Sequence, residues 1–466
     1  MTKTDGDLLR HPLSLAGATL ATISGVLLVA IFIAGFLGFE GSPYAGVGAY
    51  VAVPALLVLG LLLIPAGVAL ERRRLARHAA SGIAEPPLPV IDLNQPRTRW
   101  RALLFIALTT GNVLLLIAAS YKGIEVMDSP KFCGSCHSVM DPEATAHSLS
   151  PHARVRCVEC HIGPGASWFV KSKLSGSWQL VSVTLGLYPR PIPTPVHNLR
   201  PARDTCERCH WPTKFVGDRL KVITRHADDA ANTPLQTVLL IHVGGSQGTS
   251  VRGIHWHVDP GVRVRYFTDA KRERIGAVEL VTKEGARRTY EANKEPIAGG
   301  TWREMDCVDC HNRPTHIYRS PEEEVDAAIE SGKLPKTLPF VRRESVKALR
   351  VEYPSADAAR EGLRKQLTEF YAKEDPARAG ERKAAVEAAA AELGNMWARN
   401  VWPNMKISWG TYPSMIGHDA APGCFRCHDG DHSTKDGATI SNDCALCHNL
   451  LAQDEKEPEI LNKLAP

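Results

Sequence analysis

Twelve cysteines stand in six C-x-x-C-H units. They are Cys133, Cys136 and His137; Cys157, Cys160 and His161; Cys206, Cys209 and His210; Cys307, Cys310 and His311; Cys424, Cys427 and His428; and Cys444, Cys447 and His448. Three chemistries use paired cysteines. A redox dithiol usually occurs once, near a βαβ pattern. Structural zinc joins C-x-x-C units into four-ligand sets, which would leave six trailing histidines unexplained. Attachment of a c-type haem uses every residue of the unit: two thioethers fix the porphyrin edge and the adjacent histidine reaches the iron. Six units that consume all 12 cysteines therefore imply six covalently bound haem c groups, with the six motif histidines as proximal ligands.

The second axial side must come from elsewhere. Ten further histidines lie beyond residue 121: His147, His152, His197, His226, His242, His255, His257, His316, His418 and His432. Four to six of them are expected to bind iron. His316 follows the fourth motif in "CVDCHNRPTH", and His418 precedes the fifth in "GCFRCH". His152 is favoured over His147 ahead of the second motif. His255 and His257 are two residues apart on an expected strand, so both would face one side. His432 is too close to His428 to reach round the same haem and would have to serve another. Met140, just beyond the first motif, could ligate the first haem through its thioether; alternatively it packs on the porphyrin, or that iron is five-coordinate. An iron with two imidazoles transfers electrons but offers no place for a substrate, and its surroundings tune its potential.

These sites need an anchor and a compartment. Residues 15–37, 50–70 and 102–119 are apolar runs near or above the ~18 residues that suggest a membrane span. A signal peptide is the alternative for the first, but the run is long for one and a second follows at once. Arg72, Arg73, Arg74, Arg77, Arg97, Arg99 and Arg101 lie between the second and third runs, and residues 38–49 have no lysine or arginine. Positive-inside bias puts residues 71–101 in the cytoplasm. The N-terminus is then cytoplasmic as well, and the chain after residue 121 is periplasmic, where c-type haems are attached. The expected localisation is a bacterial inner membrane. The formal charge of +5 does not point to nucleic acid, because six ferric haems at about −1 each bring it to about −1.

The first haem motif closely follows the third span. A quinol in the bilayer needs an electron acceptor at the interface and a proton acceptor beside its hydroxyls. Glu125, Asp128 and Asp141 are local carboxylates that could serve, and Lys171 or Lys173 could bind a quinol oxygen. The plainer reading is that these carboxylates solvate the connector and these lysines meet lipid headgroups.

Residues 128–221 hold three motifs with little room for regular structure, so haems form the core there. Prolines 189, 191, 193, 195 and 201 make an extended connector. "LQTVLLIHV", "GIHWHV", "VRVRYF", "RIGAVELV" and "RTYEA" have the β-branched and aromatic composition of antiparallel strands. Residues 322–331 are a short helix candidate, and 355–371 and 377–396 have helical periodicity, with Leu363, Leu367 and Phe370 on one stripe. The tail after Leu451 is charged and expected to fray. The fold class is thus a membrane-anchored multihaem cytochrome c with three N-terminal transmembrane helices, a haem-packed periplasmic region, a small antiparallel β insert and C-terminal helices. The expected divisions are an anchor at 1–121, a three-haem domain at 122–221, a β-rich insert at 222–300 and a three-haem helical region at 301–466.

"FCGSCHSVM" and "HSLSPHARVRCVECHIGPG" resemble the start of the NapC/NirT cytochromes. The larger layout, with "CERCHWPTKF", "GIHWHV", "CVDCHNRPTHIY" and "GCFRCHDGDH", resembles the extended three-span inner-membrane cytochromes of metal-respiring bacteria. The resemblance implies a quinol dehydrogenase of anaerobic respiration. It would oxidise menaquinol and pass electrons to a soluble periplasmic c-type cytochrome, with membrane partner subunits a further possibility. It implies His152 as a ligand and places Lys173 near the family's quinol-site lysine. Two departures stand out. Ser138 and Val139 put Met140 one position later than the family's methionine, and Gln179 is the nearest polar residue where an acid is expected. The alternatives are a terminal reductase of a small oxyanion, which needs an open iron position, and a relay subunit that does not itself oxidise quinol.

Overall fold

The computed structural model describes residues 11–37, 48–79, 93–135, 137–162, 166–196, 201–211, 214–244, 253–282, 284–419 and 421–464. The chain divides into two compact units, Met1–Cys136 and His137–Pro466.

The first unit is built from three helices long and apolar enough to cross a membrane: α1 (Pro12–Phe36), α2 (Val53–Ala79) and α3 (Pro96–Met127). Small residues let α1 and α2 approach closely. A methyl group at Gly17 would sit 2.7 Å from the Gly60 carbonyl oxygen, and one at Gly60 would sit 2.6 Å from the Ala21 nitrogen. Packing of this kind replaces the hydrophobic drive that lipid removes. The Ser14 hydroxyl donates to the Ile64 carbonyl at 3.0 Å and joins the two helices. Pro96 starts α3 at a position where its missing N–H costs nothing. The helix runs well past both ends of the apolar run and stops six residues before Cys133.

In the second unit, α4 (His137–Ser148) carries the residues after the first motif, and α5 (Ala166–Thr184) follows the second. The 19-residue α5 is more regular structure than the motif density of this stretch suggested. Buried apolar side chains described between residues 137 and 217 are small and scattered: Val139, Pro142, Ala146, Val158 and Ala202. That leaves the apolar surface of this stretch to be covered by something other than its own side chains.

The strands are all antiparallel. A three-stranded sheet has the order β1 (Asp218–His226), β2 (Pro234–His242), β8 (His448–Glu455). A five-stranded sheet has the order β6 (Thr301–Glu304), β3 (Arg263–Thr268), β4 (Ile275–Val281), β5 (Arg287–Ala292), β7 (His432–Ser433). Each sheet thus takes one strand from the C-terminal part of the chain. β8 extends through residue 455 into the tail expected to fray, where Ala452 is buried opposite Val238. "GIHWHV" is not a strand: Ile254–Val258 forms a 3-10 turn. His255 and His257 therefore do not share one face, since a 3-10 helix turns about 120° per residue.

The C-terminal helices make a core of their own. α6 (Pro321–Glu330), α7 (Val341–Leu349), α8 (Ala356–Glu374) and α9 (Ala379–Asn400) enclose Val325, Leu349, Leu363, Leu367, Leu393 and Trp397. Each fully buried leucine contributes about 1.5–3 kcal/mol. α9 continues through Gly394, where a Cβ would lie 3.2 Å from Arg360 Cγ, so the glycine admits α8 rather than ending the helix. Phe370 is only partly buried, and Tyr371 completes the stripe.

Candidate haem sites and their histidine pairs

Motifs two to six each start or end a short turn. Three are helical, at Cys157–His161, Ala202–Cys206 and Cys307–Cys310, and two are 3-10, at Gly423–Arg426 and Cys444–Leu446. In three of them the histidine N–H returns to the first cysteine's carbonyl: His210 to Cys206 at 2.8 Å, His311 to Cys307 at 2.8 Å and His428 to Cys424 at 3.1 Å. The fourth turn is held by a capping box, with Asp306 accepting from the Cys307 N–H and Asp309 accepting from the Asp306 N–H, both at 2.7 Å. None of the eleven described cysteines is in a disulfide. Among the described residues no group of three or more His, Cys, Asp or Glu could hold a metal ion, so no zinc set is formed there.

Five motif histidines each face a histidine from outside the motifs. Ring centroids are 6.2 Å apart for His161 and His316, 6.0 Å for His210 and His152, 6.4 Å for His311 and His255, 5.9 Å for His428 and His257, and 6.3 Å for His448 and His418. Two imidazoles on opposite sides of one metal, with bonds of about 2 Å, place their ring centres about 6.3 Å apart. The donor set and the spacing therefore fit a haem iron between each pair. The ring planes differ from pair to pair: 57°, 71°, 8°, 87° and 29° in the same order.

Hydrogen bonds fix which ring nitrogen is free. Nδ1 of His152 donates to the Pro314 carbonyl at 3.2 Å, that of His255 to Val243 at 2.7 Å, that of His257 to Ile254 at 2.8 Å and that of His428 to Ser441 at 2.7 Å. Such a bond sets the tautomer and leaves Nε2 as the metal-binding atom. Two of the partner rings also stack on phenylalanines, His255 on Phe215 at 4.2 Å and His418 on Phe425 at 4.5 Å. Burial lowers the pKa of His161, His257, His311 and His448, which favours the neutral imidazole that a metal requires.

His316 is held differently. Its Nδ1 lies 2.9 Å from a Glu143 carboxylate oxygen and 3.1 Å from the Glu143 backbone carbonyl. Arg313 Nη2 donates to both Glu143 oxygens, at 3.0 and 3.1 Å, and the Arg313 guanidinium lies over the rings of Tyr412 and Tyr318. Burial opposes ionisation of Glu143, but the His316 hydrogen bond and the Arg313 charge outweigh it, and the carboxyl titrates below its ordinary value. Sequence reading did not single out Glu143, Arg313, Tyr318 or Tyr412. The "RPTHIY" segment was the only available signal.

Other candidates are committed elsewhere. His432 is fully buried, with Nδ1 donating to Asp429 at 2.9 Å and Nε2 3.2 Å from the Ile275 carbonyl. With both nitrogens engaged it has no lone pair to offer, and it is removed from the ligand set. His226 is used in the same way, at 3.2 Å from Asp326 and 3.3 Å from Glu330. His242 Nδ1 bonds Asp218 at 2.9 Å. His147 Nε2 lies 3.0 Å from the Val155 carbonyl, and its ring is 6.4 Å from that of His316. Cys136, the side chain of His137 and all of His197 lie outside the described residues. Met140 is on α4 and half-buried.

Neighbouring motifs are tied together. Arg208, inside the third, forms a 3.5 Å ion pair with Glu159, inside the second. Asp306 accepts the Ala202 N–H at 2.7 Å and joins the third to the fourth. Arg426, inside the fifth, donates to the backbone carbonyl of Asp309 in the fourth.

Among the residues considered for a quinol, Glu125 pairs with Lys122 at 2.9 Å, and Asp128 caps the end of α3. Asp141 is exposed on α4. Lys171 and Lys173 are on α5, with Lys171 5.0 Å from the centre of the Trp168 ring.

Comparison with known proteins follows the same lines. Residues 95–189 match the NapC/NirT cytochrome c family, N-terminal region. The cytochrome c-type protein ImcH of Geobacter sulfurreducens is 43% identical over 458 residues, which is 96% of this chain and 90% of that protein. The cytochrome c-type protein NrfH of Wolinella succinogenes is 30% identical over 114 residues, 24% of this chain and 64% of the relative. The cytochrome c-type protein TorC of Escherichia coli is 35% identical over 91 residues, 18% of this chain and 23% of the relative. No solved structure matches.

Proposed function

Since the chain belongs to the NapC/NirT family of membrane-anchored multihaem c-type cytochromes, we propose that it is a quinol dehydrogenase and electron conduit. It oxidises menaquinol at the periplasmic face of the inner membrane and delivers the electrons through six haems to a soluble periplasmic cytochrome. When bound, the haems supply one-electron transfer between fixed neighbouring centres.

The observation that carries this reading is the set of five histidine pairs. With His152, His255, His257, His316 and His418 as second ligands, both axial positions of haems two to six are filled by imidazoles. No position is left there for nitrite or a similar oxyanion, which disfavours a terminal reductase. The first motif begins six residues beyond α3 and is the natural point of electron arrival from a quinol. Met140 is its candidate second ligand. Glu125, Asp128 and Asp141 are the carboxylates that would accept the quinol protons, and Lys173 is the residue that would hold its oxygen. The arginines at the end of α2 and the start of α3 keep the link between them cytoplasmic and the haem region periplasmic.

The test is stopped-flow absorbance of the purified, oxidised protein mixed with a menaquinol analogue. Reduction of several haems is expected, slowed about tenfold or more in Lys173→Ala if that lysine contributes one charge-assisted hydrogen bond of about 1.5–3 kcal/mol. Haems reducible by dithionite and inert to quinol would assign the protein to the relay class instead.

A further inference from the structure

Of the Nδ1 hydrogen bonds described for the paired histidines, four end on neutral backbone carbonyls. The fifth, at His316, also reaches a carboxylate. We infer that Glu143 is a positioning and tuning residue for the second haem site, acting through His316 to hold that site at a lower potential than a carbonyl partner would give. The inference rests on the reading of His316 as an axial ligand opposite His161.

The geometry supports a built device rather than a chance contact. Arg313 grips both oxygens of Glu143 with Nη2, and its Nε donates to the His316 carbonyl at 2.6 Å. The guanidinium centre is 4.1 Å from the Tyr412 ring centre and 4.9 Å from that of Tyr318. Tyr412 is anchored in turn by its hydroxyl on the Ile192 carbonyl at 2.9 Å. Glu143 is thus fixed at one rotamer and aimed at Nδ1. A carboxylate acceptor draws the Nδ1 proton more strongly than a carbonyl does. It makes the imidazole a more basic ligand and stabilises the more positive, oxidised metal. Arg313 offsets part of the negative charge, so the two residues push the potential in opposite directions.

The experiment is an EPR-monitored redox titration of the full-length holoprotein and four variants. Glu143→Gln keeps the shape and a neutral acceptor. One of the six components is expected to move to higher potential, by at least a tenfold change in its oxidised-to-reduced ratio, about 59 mV for one electron. Glu143→Asp should recover part of the shift. Arg313→Met should move the same component the opposite way, which general loosening of the segment would not do. His316→Ala tests the underlying assignment, because it should convert one haem from low to high spin. If His316→Ala changes that haem and Glu143→Gln leaves every midpoint within threefold of wild type, the tuning role is overturned and the ligand assignment stands. Shifts in the same direction for Glu143→Gln and Arg313→Met also overturn it. If His316→Ala leaves the spectra unchanged, the assignment fails and the inference falls with it.

Discussion

His255→Ala separates a ligand from a bystander. The His255 ring stacks on Phe215 with planes 18° apart and donates Nδ1–H to Val243 at 2.7 Å. Losing the stack costs about 0.5–1.5 kcal/mol and losing the hydrogen bond about 1 kcal/mol. The total of about 2 kcal/mol is below the 5–15 kcal/mol margin of a typical domain, so the variant should fold. All six haems should stay attached, because the cysteines are untouched. One haem in six loses its second ligand, so about one sixth of the low-spin EPR intensity should be replaced by a high-spin signal. The ring planes identify which sixth. His255 and His311 are 8° from parallel, whereas His257 and His428 are 87° apart. Parallel imidazoles split the two iron d orbitals that point between the ligands and give a rhombic spectrum. Perpendicular imidazoles leave those orbitals nearly degenerate and give a single strongly anisotropic feature. His255→Ala should therefore remove a rhombic signal, and His257→Ala a strongly anisotropic one. An unchanged low-spin integral in His255→Ala, or loss of the anisotropic species, would refute the pairing.

Two further outcomes concern stability. Asn400 is buried; its side chain donates to Glu324 and to the Met396 carbonyl, both at 2.9 Å, and accepts the Arg319 N–H at 3.0 Å. Asn400→Ala should cost about 2–3 kcal/mol by leaving buried partners unsatisfied, seen as a lower midpoint in urea followed by far-UV circular dichroism. At Asp429, burial raises the pKa, but hydrogen bonds from Lys294 and His432 outweigh it and bring it to about 2. The folded value lies below the unfolded value of about 3.9, so this stabilisation is complete above pH 4 and is lost as pH falls towards 2. Lys294 is half exposed, so screening leaves about 1 kcal/mol. Asp429→Asn should lower Tm at pH 6, and the gap to wild type should narrow between pH 4 and pH 2. A gap that stays constant across that range would count against the ion pair.

Much of the architecture was legible because its signals are local. A C-x-x-C-H unit is five consecutive residues, and a membrane span is one apolar run, so each can be read without knowing what it touches. Short β-branched and aromatic runs marked β2, β3, β4 and β5, helical periodicity marked α8 and α9, and α6 stood as a short helix candidate. Where local patterns were silent or misled, longer-range contacts had decided the outcome. Val341–Leu349 became a helix because Val341, Val346 and Leu349 are buried against other helices. Residues 448–455 became a strand because β2 offered an edge.

The amino-acid sequence by itself determined the number of attachment motifs, the histidine that closes each of them, the three spans and their charge asymmetry. It could not determine which histidine lies across from which, because an axial partner is chosen by distance in space. His161 meets His316, and His428 meets His257, across large separations in the chain. His432, next to a motif in sequence, is spent on Asp429 and Ile275. The strongest case is the pair at 255 and 257. As a strand they would have served one side together, but the 3-10 turn sends them to two different motifs. Tertiary packing makes that choice, because an imidazole can ligate only where the backbone brings its free nitrogen within bonding distance and a hydrogen bond holds the other in place.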